Sequence, residues 1–129
     1  MRLRIRGDRV WVHRRMRLST TVMRPDETFG FAVFAPIEGF AEFERHAETE
    51  IIRARQIAPL TIPQGDDIVY HSTLPWLRFT QFTNAMAAGD SVPRVVFGRR
   101  FQDGHRWRMP VAVEVHHAVM DGLDVHRFI

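Results

Sequence analysis

Short runs of alternating apolar and polar residues fill the first 35 residues, and turn signals separate them. Residues 1–15 predict two strands joined at Gly7 and Asp8, and residues 18–23 and 28–35 predict two more, separated by a turn at residues 24–26. In the first pair, arginines alternate with apolar residues at Leu3, Ile5, Val10 and Val12. This pattern predicts a half-buried hairpin with apolar side chains inward and charges outward, within a small β meander.

Between Glu38 and Arg55 the pattern changes, because apolar residues recur every three or four positions, which predicts one long amphipathic helix. Prolines and a polar cluster at residues 63–67 end it. Further strands are predicted at residues 68–70, 77–82, 92–101 and 106–116, and a second helix after Gly122. In the last strand Val111, Val113 and Val115 alternate, which predicts one buried face and places His116 and His117 at the strand end.

The 129 residues, 45% of them hydrophobic, predict a single domain over residues 1–129. All 18 basic residues are arginines, which raises the isoelectric point to about 10.8 although the net charge is only +3. Eight arginines lie in the first 24 residues, which fits either a nucleic-acid or acidic-membrane surface or a solvated sheet face. Their alternation with apolar residues favours the sheet face, and neither nucleic acid nor membrane is predicted as a partner.

Cysteine is absent, which excludes disulfides and thiol chemistry and fits a reducing compartment. The longest apolar stretch, residues 29–37, is too short to span a bilayer and lacks the flanks of a signal peptide. A cytoplasmic protein is therefore predicted.

The segment His-His-Ala-Val-Met-Asp-Gly at residues 116–122 is the strongest candidate for chemistry. A histidine four residues before an Asp-Gly turn can be held by local contacts and take a proton from a hydroxyl at neutral pH, while the aspartate fixes the loop. Two other interpretations stay open: paired structural histidines, or a metal site built from His116 or His117 with Asp121, Asp124 and His126. Metal is the least favoured, since adjacent histidines on a strand point to opposite faces.

Read with two neighbouring segments, this motif resembles the chloramphenicol acetyltransferase family. HSTLPWLRFTQF at residues 71–82 resembles the family's Ser-x-x-Pro-Trp-x-x-Phe segment, and residues 92–122 resemble the strand, turn and strand that lead to its histidine motif. Dihydrolipoamide acyltransferases and the condensation domains of peptide synthetases use a similar histidine motif, but the Pro-Trp pair favours the acetyltransferases. The resemblance covers nearly the whole chain.

This resemblance implies an α/β fold, of the two-layer α+β kind, in which a mixed β-sheet carries helices on one side. It also implies an acetyl-CoA-dependent O-acetyltransferase with an antibiotic-resistance function, chloramphenicol or a related alcohol as acceptor, acetyl-CoA as co-substrate and no metal. His117 would be the general base and Ser72 the donor to the oxyanion. Asp121 and Gly122 would hold the loop, and Trp76 and Arg99 would contact the cofactor, although a core tryptophan and a solvated arginine remain alternatives.

Family members act as trimers with active sites between subunits, so the resemblance implies a homotrimer. The family's first third has no counterpart before Met1, its closing helix is cut short, and the arginine that pairs with the aspartate of the motif is missing. Met120 and Val96 replace a cysteine and a threonine that other members have. A second hypothesis is therefore a fragment or degenerate relative without catalytic activity that serves as an oligomeric structural or interaction module.

Overall fold

The structure is a computed structural model that describes residues 1–56 and 59–129. In chain order its elements are β1 (Leu3–Arg6), β2 (Arg9–Val12), β3 (Arg17–Met23), β4 (Phe29–Phe34), α1 (Phe40–Gln56), β5 (Ile68–Thr73), β6 (Arg94–Phe97), β7 (Phe101–Asp103), β8 (Arg106–Arg108), β9 (Val111–Glu114) and α2 (Gly122–Phe128).

Five strands form a mixed sheet in the order β4-β3-β5-β6-β9. Strand β3 is antiparallel to β4 and parallel to β5, β5 is parallel to β6, and β6 is antiparallel to β9. The pairs β1-β2 and β7-β8 are separate hairpins. The predicted meander of the first four strands is therefore wrong: β4 and β5 occupy both edges of β3, which leaves no edge for the first hairpin.

Helix α1 packs against β4 and β3 and covers one face of this part of the sheet. Its apolar stripe predicted this contact, since Phe43, Ala47 and Ile51 pack against the buried cluster of Val22, Ala32, Phe34 and Ala54. Gly30 allows the close approach, because a Cβ at this position would lie 2.5 Å from the carbonyl oxygen of Ala54. The mixed sheet with a helix on one side confirms the predicted two-layer α/β fold. None of the helices in the described ranges is long and apolar enough to cross a membrane.

The first hairpin follows the predicted pattern only in part: Leu3 and Ile5 are half-buried and Arg6 is exposed, as expected, but Arg4 and the second strand depart from it. Arg4 has no solvent exposure, whereas Val10 and Val12 are 58% and 57% exposed. The guanidinium of Arg4 donates hydrogen bonds to four main-chain carbonyls, those of Met1, Leu3, Asp66 and Ile68, at 2.6–2.9 Å. The charge lies inside because these carbonyls satisfy its donors, a solution that alternation along the strand does not reveal.

Three other strand predictions need correction. Residues 77–82 form no strand but a loop that follows the turn after β5. The strand predicted at 92–101 is divided into β6 and β7, and the one at 106–116 is interrupted at Pro110, which has no N–H to donate to a ladder. Strand β9 ends at Glu114, before the histidines, and all four of its residues are half-buried rather than alternating.

Candidate active site

His117 lies in a turn that follows β9, and its side chain is exposed. The carbonyl oxygen of His116 accepts hydrogen bonds from the N–H groups of Val119 and Met120 at 3.0 and 3.2 Å, which closes the turn. The ring of His116 also takes part in the turn: its Nδ1 accepts a hydrogen bond from the N–H of Ala118 at 3.3 Å. Within residues 1–56 and 59–129 no hydrogen bond reaches the ring of His117. Of the two histidines, His117 is thus the one available to a substrate.

Asp121 ends this turn and begins α2. Its carboxylate accepts hydrogen bonds from the N–H groups of Leu123 at 2.9 Å and Asp124 at 3.0 Å, and the carboxylate of Asp124 accepts from the N–H of Asp121 at 3.2 Å. This reciprocal capping box fixes the start of α2 through main-chain contacts. Gly122 follows as the first residue of α2, with open space where a Cβ would lie.

Ser72 lies on β5 and lines an open groove of about 340 Å³. The groove is on the sheet face opposite α1, because its residues Thr21 and Phe31 alternate with Val22 and Ala32 of the core. The hydroxyl of Thr21 donates to Ser72 Oγ at 3.1 Å. Since Ser72 accepts this hydrogen bond, its own O–H is left to donate to a molecule in the groove.

His71, the neighbour of Ser72, has a different environment. Its ring lies between those of Phe34 and Phe97, with centroid distances of 6.2 and 6.5 Å. Burial lowers the pKa of His71 below its usual range, so the neutral imidazole is favoured at neutral pH. No local sequence pattern predicts this half-buried histidine beside the candidate serine.

Trp76 and Arg99 lie on adjoining pieces of backbone. Trp76 follows β5 in a turn and is 58% exposed, so it is not part of the core of this chain. The N–H of Arg99, which is also exposed, donates to the carbonyl of Leu77 at 2.7 Å. Gly98 allows these two backbone segments to lie so close together, because a Cβ there would lie 2.6 Å from Pro110 Cγ and 2.9 Å from the Leu77 carbonyl oxygen. An indole ring and a guanidinium are thus both accessible at one edge of the fold.

Within this chain, the structure does not bring Ser72 and His117 together. Ser72 pairs with Val96 on β6, and Val96 pairs with Ala112 on β9. The residue of β9 in register with Ser72 is therefore Ala112, and His117 lies five residues beyond it. His117 is not among the residues that line the groove of Ser72. In the described part of the chain, no three acidic or histidine side chains are grouped to hold a metal ion, so the metal interpretation gains no geometric support.

Comparison with known sequences decides the family. The sequence model for chloramphenicol acetyltransferase matches residues 2–129. The chain belongs to the chloramphenicol acetyltransferase family. Among curated relatives, chloramphenicol acetyltransferase 3 of Escherichia coli is 39% identical over 72 residues, which cover 52% of this chain and 34% of the relative. The chloramphenicol acetyltransferase of a Klebsiella species is 37% identical over 71 residues, which cover 52% of this chain and 32% of the relative.

Solved structures agree with this family. A chloramphenicol acetyltransferase structure superposes with a TM-score of 0.79 at 25% identity, over 98% of this chain and 64% of that one. The truncated catalytic core of a 2-oxoacid dehydrogenase multienzyme complex from Thermoplasma acidophilum gives a TM-score of 0.71 at 14% identity, over 98% of this chain and 59% of that one, and shows the fold alone. The chain spans about a third of the length of the curated relatives it matches and less than two thirds of these solved structures.

Proposed function

We propose that this chain takes part in acetyl transfer from acetyl-CoA to the hydroxyl of a small alcohol, with chloramphenicol as the leading acceptor. Membership of the family supports the reaction class. The observation that carries the proposal is the pair of available groups: an exposed imidazole in a capped turn, and a serine hydroxyl whose proton is free to enter an open groove. These are a proton acceptor and a hydrogen-bond donor, as acyl transfer to an alcohol requires.

In the proposed reaction, His117 takes the proton of the substrate hydroxyl while the hydroxyl oxygen forms a bond to the carbonyl carbon of the thioester. Ser72 donates a hydrogen bond to the thioester carbonyl oxygen, on which negative charge develops. When the carbon–sulfur bond breaks, the protonated His117 returns the proton to the departing thiolate, so that the ester and the free thiol of CoA are released. The accessible Trp76 and Arg99 fit a co-substrate that carries an adenine ring and phosphates.

Because Ser72 and His117 lie apart in one chain, we propose that the site forms between copies. In this arrangement His117 of one subunit faces the groove of Ser72 in the next subunit of a homotrimer, a closed assembly in which every interface is equivalent. The absence of cysteine fits a cytoplasmic setting for such an enzyme.

The direct test measures thiol release from acetyl-CoA in the presence of chloramphenicol. We expect His117→Ala to lower kcat by about 10²–10⁴-fold and Ser72→Ala by about 10²–10³-fold. His105→Ala is the matched control, since this exposed histidine lies in the turn of the second hairpin, and it should keep wild-type kcat. A His117→Ala variant with wild-type kcat would refute the mechanism, and activity only with other alcohols would change the acceptor alone.

A mixing experiment tests the shared site. His117→Ala and Ser72→Ala chains are each denatured and then refolded together in equal amounts. Random trimers place an intact His117 against an intact Ser72 at about one interface in four, so activity should return to about a quarter of the wild-type value. If both residues act within one chain, the mixture stays as inactive as its components.

A further inference from the structure

Asn84, in the loop between β5 and β6, is tied to the end of β9 by Glu114. The carboxylate of Glu114 accepts a hydrogen bond from the main-chain N–H of Asn84, at 2.9 Å to Oε1 and 3.1 Å to Oε2. It also accepts from the side-chain nitrogen Nδ2 of the same residue. One carboxylate therefore fixes both the backbone and the side chain of Asn84.

This contact determines which way the amide of Asn84 is turned. A carboxylate only accepts hydrogen bonds, so the group of Asn84 that faces it must be the NH₂ and not the carbonyl oxygen. The oxygen Oδ1 is left without a hydrogen-bond partner across residues 1–56 and 59–129. Asn84 lines the same groove as Ser72 and Thr21. A residue that lines the groove thus carries an acceptor oxygen with no partner in the described ranges, in addition to the serine donor.

We propose that Asn84 Oδ1 accepts a hydrogen bond from a second donor group of the alcohol substrate, a further hydroxyl or an amide N–H. Asn84 would then determine specificity, with Glu114 as its positioning residue. The inference rests on the proposed function, because it takes the groove as the acceptor site. An alcohol that lacks the second donor leaves Oδ1 unpaired in the complex, which should lower kcat/KM by roughly 10-fold to 100-fold.

The test compares two acceptors that differ by one hydroxyl: a phenyl-substituted propanediol and the phenylpropanol that lacks its benzylic hydroxyl. The wild-type protein should give a kcat/KM ratio, diol over mono-alcohol, of about 10 or more. In Asn84→Leu, which keeps the side-chain shape and removes the acceptor, the ratio should fall to about 1. Glu114→Gln should lower the ratio in part, through a higher KM for the diol, because a glutamine can also donate and no longer dictates how the amide is turned. Gln81→Leu, an exposed change in the same loop, should leave the ratio at the wild-type value.

The outcomes separate the two proposals. If the wild-type protein acetylates both alcohols equally, or if Asn84→Leu keeps the preference for the diol, the role of Asn84 is refuted while the proposed function stands. If the wild-type protein acetylates neither alcohol, the proposed function fails for these acceptors, and calorimetric binding of the two alcohols decides the role of Asn84. Tighter binding of the diol that Asn84→Leu abolishes supports the role, and equal or undetectable binding overturns it.

Discussion

The buried charge of Arg4 offers the sharpest test of how this fold is held together. Its guanidinium is enclosed and links β1 to the segment that leads into β5, through the carbonyls of Asp66 and Ile68 at 2.6 Å each. The change Arg4→Met keeps an unbranched side chain in the same space and removes every donor. The first hairpin should then lose its main polar attachment to the sheet.

The size of the effect follows from these contacts. Hydrogen bonds to a charged group contribute about 1.5–3 kcal/mol each, and a buried acceptor left unpaired costs about 1–3 kcal/mol. Of the four acceptors, only the contact with the Ile68 carbonyl is fully buried, so the others can regain water. Methionine also removes the cost of burying a charge. The expected net loss is about 3 kcal/mol, or roughly 10 °C in Tm for a chain of this length.

The assay is urea and thermal unfolding followed by tryptophan fluorescence, which Trp11 on the neighbouring strand β2 should report. Arg9→Met is the matched control, because Arg9 lies exposed on the same hairpin. It should change stability by less than about 0.5 kcal/mol. If Arg4→Met is as stable as Arg9→Met, the buried guanidinium contributes nothing net and the reasoning above is wrong.

Three further predictions concern the stability at acid pH, the close backbone approach at Gly98 and the cap of α2. The hydrogen bond from Arg6 lowers the pKa of Asp66 from 3.8 to about 2, so its stabilisation is present above about pH 4 and lost as the pH falls towards 2. Because Arg6 is 48% exposed, screening limits this stabilisation to about 1 kcal/mol. Between about pH 4 and pH 2 the unfolding free energy of Asp66→Asn should therefore fall by about 1 kcal/mol less than that of the wild-type protein. An equal fall in both proteins would contradict this prediction. Gly98→Ala should lower the unfolding free energy by about 1–3 kcal/mol in thermal melts, because the added methyl group overlaps its neighbours, and an unchanged Tm would refute this crowding. Asp121→Ala should cost α2 about 0.5–2 kcal/mol through loss of its cap, seen as faster amide exchange at Leu123; unaltered exchange would show that the cap does not hold the turn.

The parts of the candidate site that the sequence could predict are those made by residues close together in the chain. The turn at His116 and the capping box of Asp121 and Asp124 span only a few residues, so the spacing of the motif suffices to expect them. Thr21 and Asn84 were missed. The first contacts Ser72 from 51 positions away and the second contacts Glu114 from 30 positions away, and nothing in their local sequence signals either contact.

By itself the sequence determined the amphipathic helix α1, the sharp turns and the histidine turn, because helix periodicity and turn chemistry act over a few neighbouring residues. Only the tertiary structure decided which strands are neighbours in the sheet, that Arg4 points inward and Val10 outward, and that Ser72 and His117 lie apart in one chain. Alternation along a strand reports that two faces differ. It does not report which face meets a helix or which carbonyls can receive a buried charge, since both depend on segments outside the strand, and the carbonyls of Asp66 and Ile68 that bind Arg4 lie more than 60 residues away.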